Sequence, residues 1–76
     1  MTAAGRRAPE IVVQRPSPAG GRRVTVGGTA LGLAHSDRDL IEFLRRAGLD
    51  DADGLVLGDS PLIHWCGGCA HRYEAM

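Results

Sequence analysis

Arg22-Arg-Val-Thr-Val-Gly-Gly-Thr-Ala-Leu-Gly-Leu-Ala34, running on through His35 into Ser36-Asp-Arg-Asp-Leu-Ile-Glu-Phe-Leu-Arg-Arg-Ala-Gly48, decides the fold of this chain. Gly27-Gly28 is a two-residue hairpin signal, because the tight turns joining twisted strands need positive φ at both central positions. With the turn there, Val26 faces Thr29, Val24 faces Leu31 and Arg22 faces Leu33 on one side of the ribbon. Arg23, Thr25, Ala30, Gly32 and Ala34 take the other. Upstream, Glu10-Ile-Val-Val-Gln-Arg15 is rich in β-branched residues and reads as a strand, followed by turn residues from Pro16 to Gly21. Pairing Val13 with Val24 sets Ile11 opposite Val26, on the same apolar face. Two turns therefore agree on one pattern.

Downstream, Ser36 is a good N-cap with Asp39 three residues on. Asp37 and Asp39 suit the positive end of a helix dipole, and Arg45 and Arg46 suit the negative end. Leu40, Ile41, Leu44 and Ala47 form an apolar stripe with Phe43 on its flank. Gly48 stands where a left-handed cap residue belongs, with Leu49 placed to fold back. These signals predict a helix over 37–47. Asp50-Asp-Ala-Asp-Gly54 reads as an acidic loop, and Leu55-Val-Leu57 as a short strand or a buried tether. Gly58 to Pro61 reads as a turn and Leu62-Ile-His-Trp-Cys66 as a last strand. Beyond Gly67-Gly68 the reading is open between a short returning strand and a frayed tail.

The expected architecture is α+β: a three-stranded antiparallel meander, a C-terminal edge strand, and one amphipathic helix on the apolar face (β-β-β-α-β). Residues 1–9, small, charged and closed by Pro9, read as a flexible arm, and 10–76 as a single domain. No internal repeat is present. Seventy-six residues leave room for one domain with a marginal core.

Nine arginines balance nine acids, and there is no lysine. The charges are not evenly spread: residues 1–23 hold Arg6, Arg7, Arg15, Arg22 and Arg23 against Glu10 alone. The rest carries four arginines against eight acids. Such asymmetry orients a partner or a second copy. The N-terminus lacks the apolar run of a secretory signal, and Ala30 to Ala34 is far too short to cross a bilayer. A cytoplasmic protein without a membrane partner is the expectation.

One constellation near the C-terminus carries chemistry: His64-x-Cys66-x-x-Cys69-x-His71. Thiolates and imidazoles are the ligands of tetrahedral zinc. If Gly67-Gly68 turned a hairpin, Cys66 would face Cys69 and His64 would face His71, offering a Cys₂His₂ site. Against this, ordering the last residues costs roughly 1–2 kcal/mol each, which the metal would have to offset. The bland reading makes His64 a solvent-facing strand residue and the cysteines semi-exposed thiols. A redox role for Cys-Gly-Gly-Cys competes, although no helix follows Cys66 to activate its thiol; a strained, reducible disulfide across the turn is the form it would take.

Other patterns fail on inspection. Aligning Gly54 with the EF-hand glycine puts Leu49 and Ser60 at ligand positions, which excludes calcium. Gly58-Asp59-Ser60 has the outline of a phosphopantetheine site, yet Pro61 and a strand follow where a helix is needed. Ser60, His64 and Asp59 make a triad only on paper, in a chain with little to exclude water. The N-terminal arginines suit phosphate, but the interleaved aromatics of a single-strand platform are missing. Arg15 and Arg22 read as solvated residues flanking the first turn.

The stretch Val24 to Leu49 followed by Trp65, together with Glu10-Ile-Val-Val13, resembles a group of short uncharacterised actinobacterial proteins. The resemblance spans residues 10–68 and implies no activity, substrate or partner. Its Trp-x-Gly-Gly ending is matched by Trp65-Cys-Gly-Gly68, and the Cys-x-x-Cys pair departs from it. The function expected is therefore a small non-catalytic binding or adaptor module, acting on a protein partner or another copy of itself. The alternatives are a zinc-binding regulatory module built on His64, Cys66, Cys69 and His71, and a weak nucleic-acid binder using the N-terminal arginines.

Overall fold

The computed structural model describes residues 10–75, and the arm expected over 1–9 lies outside the described residues. Three antiparallel strands come first: β1 (Ile11–Pro16), β2 (Arg22–Val26) and β3 (Thr29–Ala34). Helices α1 (Asp37–Arg46) and α2 (Ala52–Leu57) follow, and then β4 (Ile63–Trp65). The sheet order is β3-β2-β1-β4, with β4 parallel to β1. Since β3 and β4 run the same way, the connection between them must cross the sheet, and α1 with α2 is that crossing. The fold is α+β, with a mixed sheet and both helices on one face.

The β1–β2 register is the expected one from Ile11 to Val13, with Ile11 opposite Val26 and Val13 opposite Val24, and then shifts by one so that Pro16 stands opposite Arg22. Gly27 and Gly28 both have positive φ, at 58° and 88°, which closes the β2–β3 hairpin. The β2–β3 register then departs from expectation. Thr25 pairs with Ala30 but Val24 pairs with Gly32, so Leu31 is the extra residue of a bulge. From there on every partner slips by one: Arg22 stands opposite Ala34 and Arg23 opposite Leu33. Gly32 and Ala34 therefore turn inward, and Leu33, expected inside, is 41% exposed.

The slip has a packing reason. A Cβ on Gly32 would come within 2.9 Å of the Phe43 ring, so only a residue without one leaves room for that ring on the sheet. Leu31 still packs against the core from within the bulge.

Residues paired across a ladder share a face. The covered face thus reads, row by row, Ile63·Ile11·Val26·Thr29, then Trp65·Val13·Val24·Gly32, then Pro16·Arg22·Ala34. Leu40, Leu44, Ala52 and Val56 from the helices bury with Ile11, Val13, Val24 and Ile63 to form the core. The open face carries His64·Val12·Thr25·Ala30 and Arg23·Leu33.

Helix α1 starts and stops as its sequence dictates. The Ser36 hydroxyl accepts from the Asp39 amide at 3.2 Å, and Asp39 accepts in return from the His35 amide at 2.9 Å. At the other end Gly48 N–H bonds to Arg45 O and Leu49 N–H to Leu44 O, the paired bonds of a Schellman stop. Ala47 is the C-cap and exposed, outside the stripe it was assigned to.

Segment 52–57 is helical, neither strand nor tether. Its turn-like composition masks a four-residue spacing that buries Ala52 and Val56. Arg45 pairs with Asp53 at 3.1 Å and fastens α2 to α1 from outside.

Candidate functional site

Residues 66–75 lie against Pro16 and Arg22 in the third row of the covered face, neither as a returning strand nor as a frayed tail. Arg22 is the reason. Alternation along β2 sends its side chain to the covered face with Val24 and Val26, and the residue is 0% exposed. The guanidinium donates from Nε to Gln14 O at 2.8 Å and from Nη2 to Cys66 O at 2.6 Å. Nη1 donates to Cys69 O and Arg72 O, both at 2.9 Å. Four backbone carbonyls thus converge on one side chain, three of them from the C-terminal segment. The Trp65 ring lies 5.3 Å from Cζ, in cation–π range. Burial pulls the Arg22 pKa below its ordinary value. This corrects the reading of Arg22 as a solvated, phosphate-facing residue: its fork is spent on carbonyls inside the protein.

A second fastening joins the same segment to the helices. Tyr73 is 7% exposed; its hydroxyl donates to Asp37 Oδ1 at 2.7 Å, and its carbonyl accepts from Gly21 N–H at 2.8 Å. Burial, and then the bond to Asp37, push the Tyr73 pKa up, so the phenol stays a donor. His71 Nδ1 lies 2.9 Å from both Asp37 oxygens, and Nε2 bonds to Asp59. Only the imidazolium can donate from both nitrogens. The bond to Asp59, followed by that to Asp37, raises the His71 pKa accordingly. His71 therefore spans from the first residue of α1 to the loop after α2. Trp65 packs beside both rings, with centroids 5.1 Å from His71 and 6.1 Å from Tyr73.

The four residues of the zinc constellation fall in different surroundings. His64 is on the open face with Nε2 4.0 Å from Glu10. Cys66 and Cys69 are free and exposed. His71 is engaged by two carboxylates, and gathering the set would require it to leave them. Among the described residues no three His, Cys, Asp or Glu side chains form a metal-holding group. The paper triad is likewise dispersed: Ser60 Oγ accepts from Leu62 N–H, and Asp59 serves His71.

Sequence reasoning missed Asp37, Tyr73 and the inward role of Arg22. The alternation Arg22-x-Val24-x-Val26 already carried the signal for the last. Two clefts flank the segment: one of about 380 Å³ beside Ser36, Asp37, His71 and Tyr73, the other of about 490 Å³ beside Arg22, Cys69 and Arg72. A third, of about 460 Å³, opens between Gln14, Arg15, Ser17, Arg23 and Leu33. No helix among the described residues is long and apolar enough to cross a membrane. Comparison with protein-family models, with curated proteins and with solved structures finds no match.

Proposed function

We propose that this chain is a small, non-catalytic binding module of the cytoplasm that docks a protein through the open face of its sheet. The observation carrying this reading is that both helices and the C-terminal segment crowd onto one face, leaving Val12, Thr25, Ala30 and Leu33 on the other. Leu33 is 41% exposed there, and Leu62, next to β4, is 46% exposed. Arg15 and Arg23 line the cleft at one end of this face, beside Leu33. On the α1–α2 side Arg45 and Arg46 pair with Glu42 and Asp53, while Asp50 and Asp51 are exposed acids of the loop between the helices. That opposition of charge makes a second copy of the chain the first partner to test. The non-catalytic reading is supported by His71, whose ring nitrogens both serve carboxylates and leave none to act as a base.

Light scattering over a concentration series tests it. The expected molar mass rises above that of one chain and returns to it in Leu33→Glu, a substitution on the open face. A strict monomer at high concentration, or a rise that Leu33→Glu leaves unchanged, contradicts docking of a second copy through this face.

A further inference from the structure

Two thiols stand outside everything assigned so far. Cys66 and Cys69 are free and exposed, joined by Gly67-Gly68, and the chain bends at both glycines. The Cys66 amide donates to Val13 O at 2.9 Å, anchoring that residue where β4 ends beside β1. Arg22 then grips both cysteine carbonyls, Cys66 O from Nη2 and Cys69 O from Nη1. The two nitrogens branch from one carbon in a rigid plane, so one fork fixes the backbones of both cysteines. A disulfide requires Cα atoms roughly 4.4–6.8 Å apart, and the Gly67-Gly68 bend together with the shared guanidinium limits how far the two cysteine backbones can separate. Access is provided too: Cys69 lines the cleft of about 490 Å³, whose other walls include Arg72 and Glu74, paired with each other at 3.6 Å.

We propose that Cys66 and Cys69 form a reversible dithiol–disulfide pair that exchanges with a low-molecular-weight disulfide entering beside Cys69, and that Arg22 preorganises the ring closure. The Cys69 thiolate attacks one sulfur of the small disulfide; its S–S bond breaks, and one small thiolate departs with the electron pair and takes up a proton. The Cys66 thiolate then attacks Sγ of Cys69 in the mixed disulfide and expels the second small thiolate. The chain loses two protons and two electrons, and the small disulfide gains them as two thiols. The pair is independent of the open sheet face, so this site stands whether or not that face docks a protein.

The test is thiol–disulfide exchange of the full chain with excess oxidised and reduced glutathione at neutral pH, natively and in denaturing urea, with acid quenching and mass analysis. In native protein the main product is expected to be lighter by two hydrogens and free of glutathione. Its ratio to the mixed disulfide is expected to exceed that in urea at least about tenfold. An equal or lower native ratio, accumulated glutathione adducts, or chain-to-chain dimers would overturn the proposal. Arg22→Lys keeps the charge and loses the fork: in a folded variant the ratio drops toward the urea value, and an unchanged ratio refutes the role of Arg22. Should that variant not fold, the native and urea ratios of the unaltered chain decide alone.

Discussion

The two ends of the covered sheet face are closed by different means. Over Ile11, Val13 and Val24 the lid is apolar, supplied by Leu40, Leu44, Ala52 and Val56. Over Pro16 and Arg22 it is a polar strap, held by three of its carbonyls on Arg22, a tyrosine hydroxyl and an imidazolium. An apolar lid asks for volume and periodicity, and cores tolerate swaps that keep both. A polar strap asks for particular atoms at particular places, because a buried donor or acceptor left alone costs its full desolvation. The first end should therefore respond to substitution by size and the second by chemistry.

The sharpest contrast pairs Arg22→Ala with Leu44→Ala in urea denaturation. Arg22→Ala strips four carbonyls of their donor and opens the third row, an expected loss of about 4 kcal/mol. Leu44→Ala leaves a cavity under α1 and loses about 3 kcal/mol. Arg22→Met should recover little of the first loss while Leu44→Met recovers most of the second. Equal recovery at both sites would erase the distinction. Next comes Gly32→Ala, which drives a methyl into the Phe43 ring and costs about 2 kcal/mol; Phe43→Leu in the same chain should return part of it, and strict additivity of the two changes would mean the contact is not the cause.

The two ends also differ in how far the amino-acid sequence discloses them. The α1 caps and the Gly27-Gly28 turn are local, each set by side chains within a few positions of the effect, and the β1–β2 pairing from Ile11 to Val13 follows from apolar alternation in the two strands. The bulge at Leu31 is hidden because its cause, the Phe43 ring over Gly32, sits eleven residues further along the chain. Helix α2 is hidden by an acidic, glycine-containing stretch whose only helical sign is the spacing of Ala52 and Val56. Tyr73 and His71 are unreadable in a different sense: their partners Asp37 and Asp59 are brought to them by the crossover. Arg22 is half legible. Its place in the alternation is plain, while its charge argues for solvent, and the carbonyls that resolve the conflict come from residues 14, 66, 69 and 72.

Smaller effects sharpen the polar end further. Tyr73→Phe deletes the bond to Asp37 while keeping the buried ring, and an expected loss of about 1 kcal/mol follows. No change in the urea midpoint would place that hydroxyl outside the strap. The smallest effect is set by pH. His71 has a raised pKa in the folded chain, so its contribution is complete below the ordinary histidine value and vanishes as pH climbs through the raised one. The urea midpoint of the unaltered chain should accordingly fall toward that of His71→Gln as the solution becomes alkaline. A gap between them that widens with rising pH has the wrong sign.

Hydrogen exchange at the Arg22 Nε–H, followed by NMR at neutral pH, addresses the strap at its centre. With Nε–H held by Gln14 O inside a fully covered side chain, its signal should persist and exchange on the timescale of the Val13 and Val24 amides. If it exchanges as fast as the Nε–H of the exposed Arg46, the guanidinium is in water and the polar closure of the sheet does not exist.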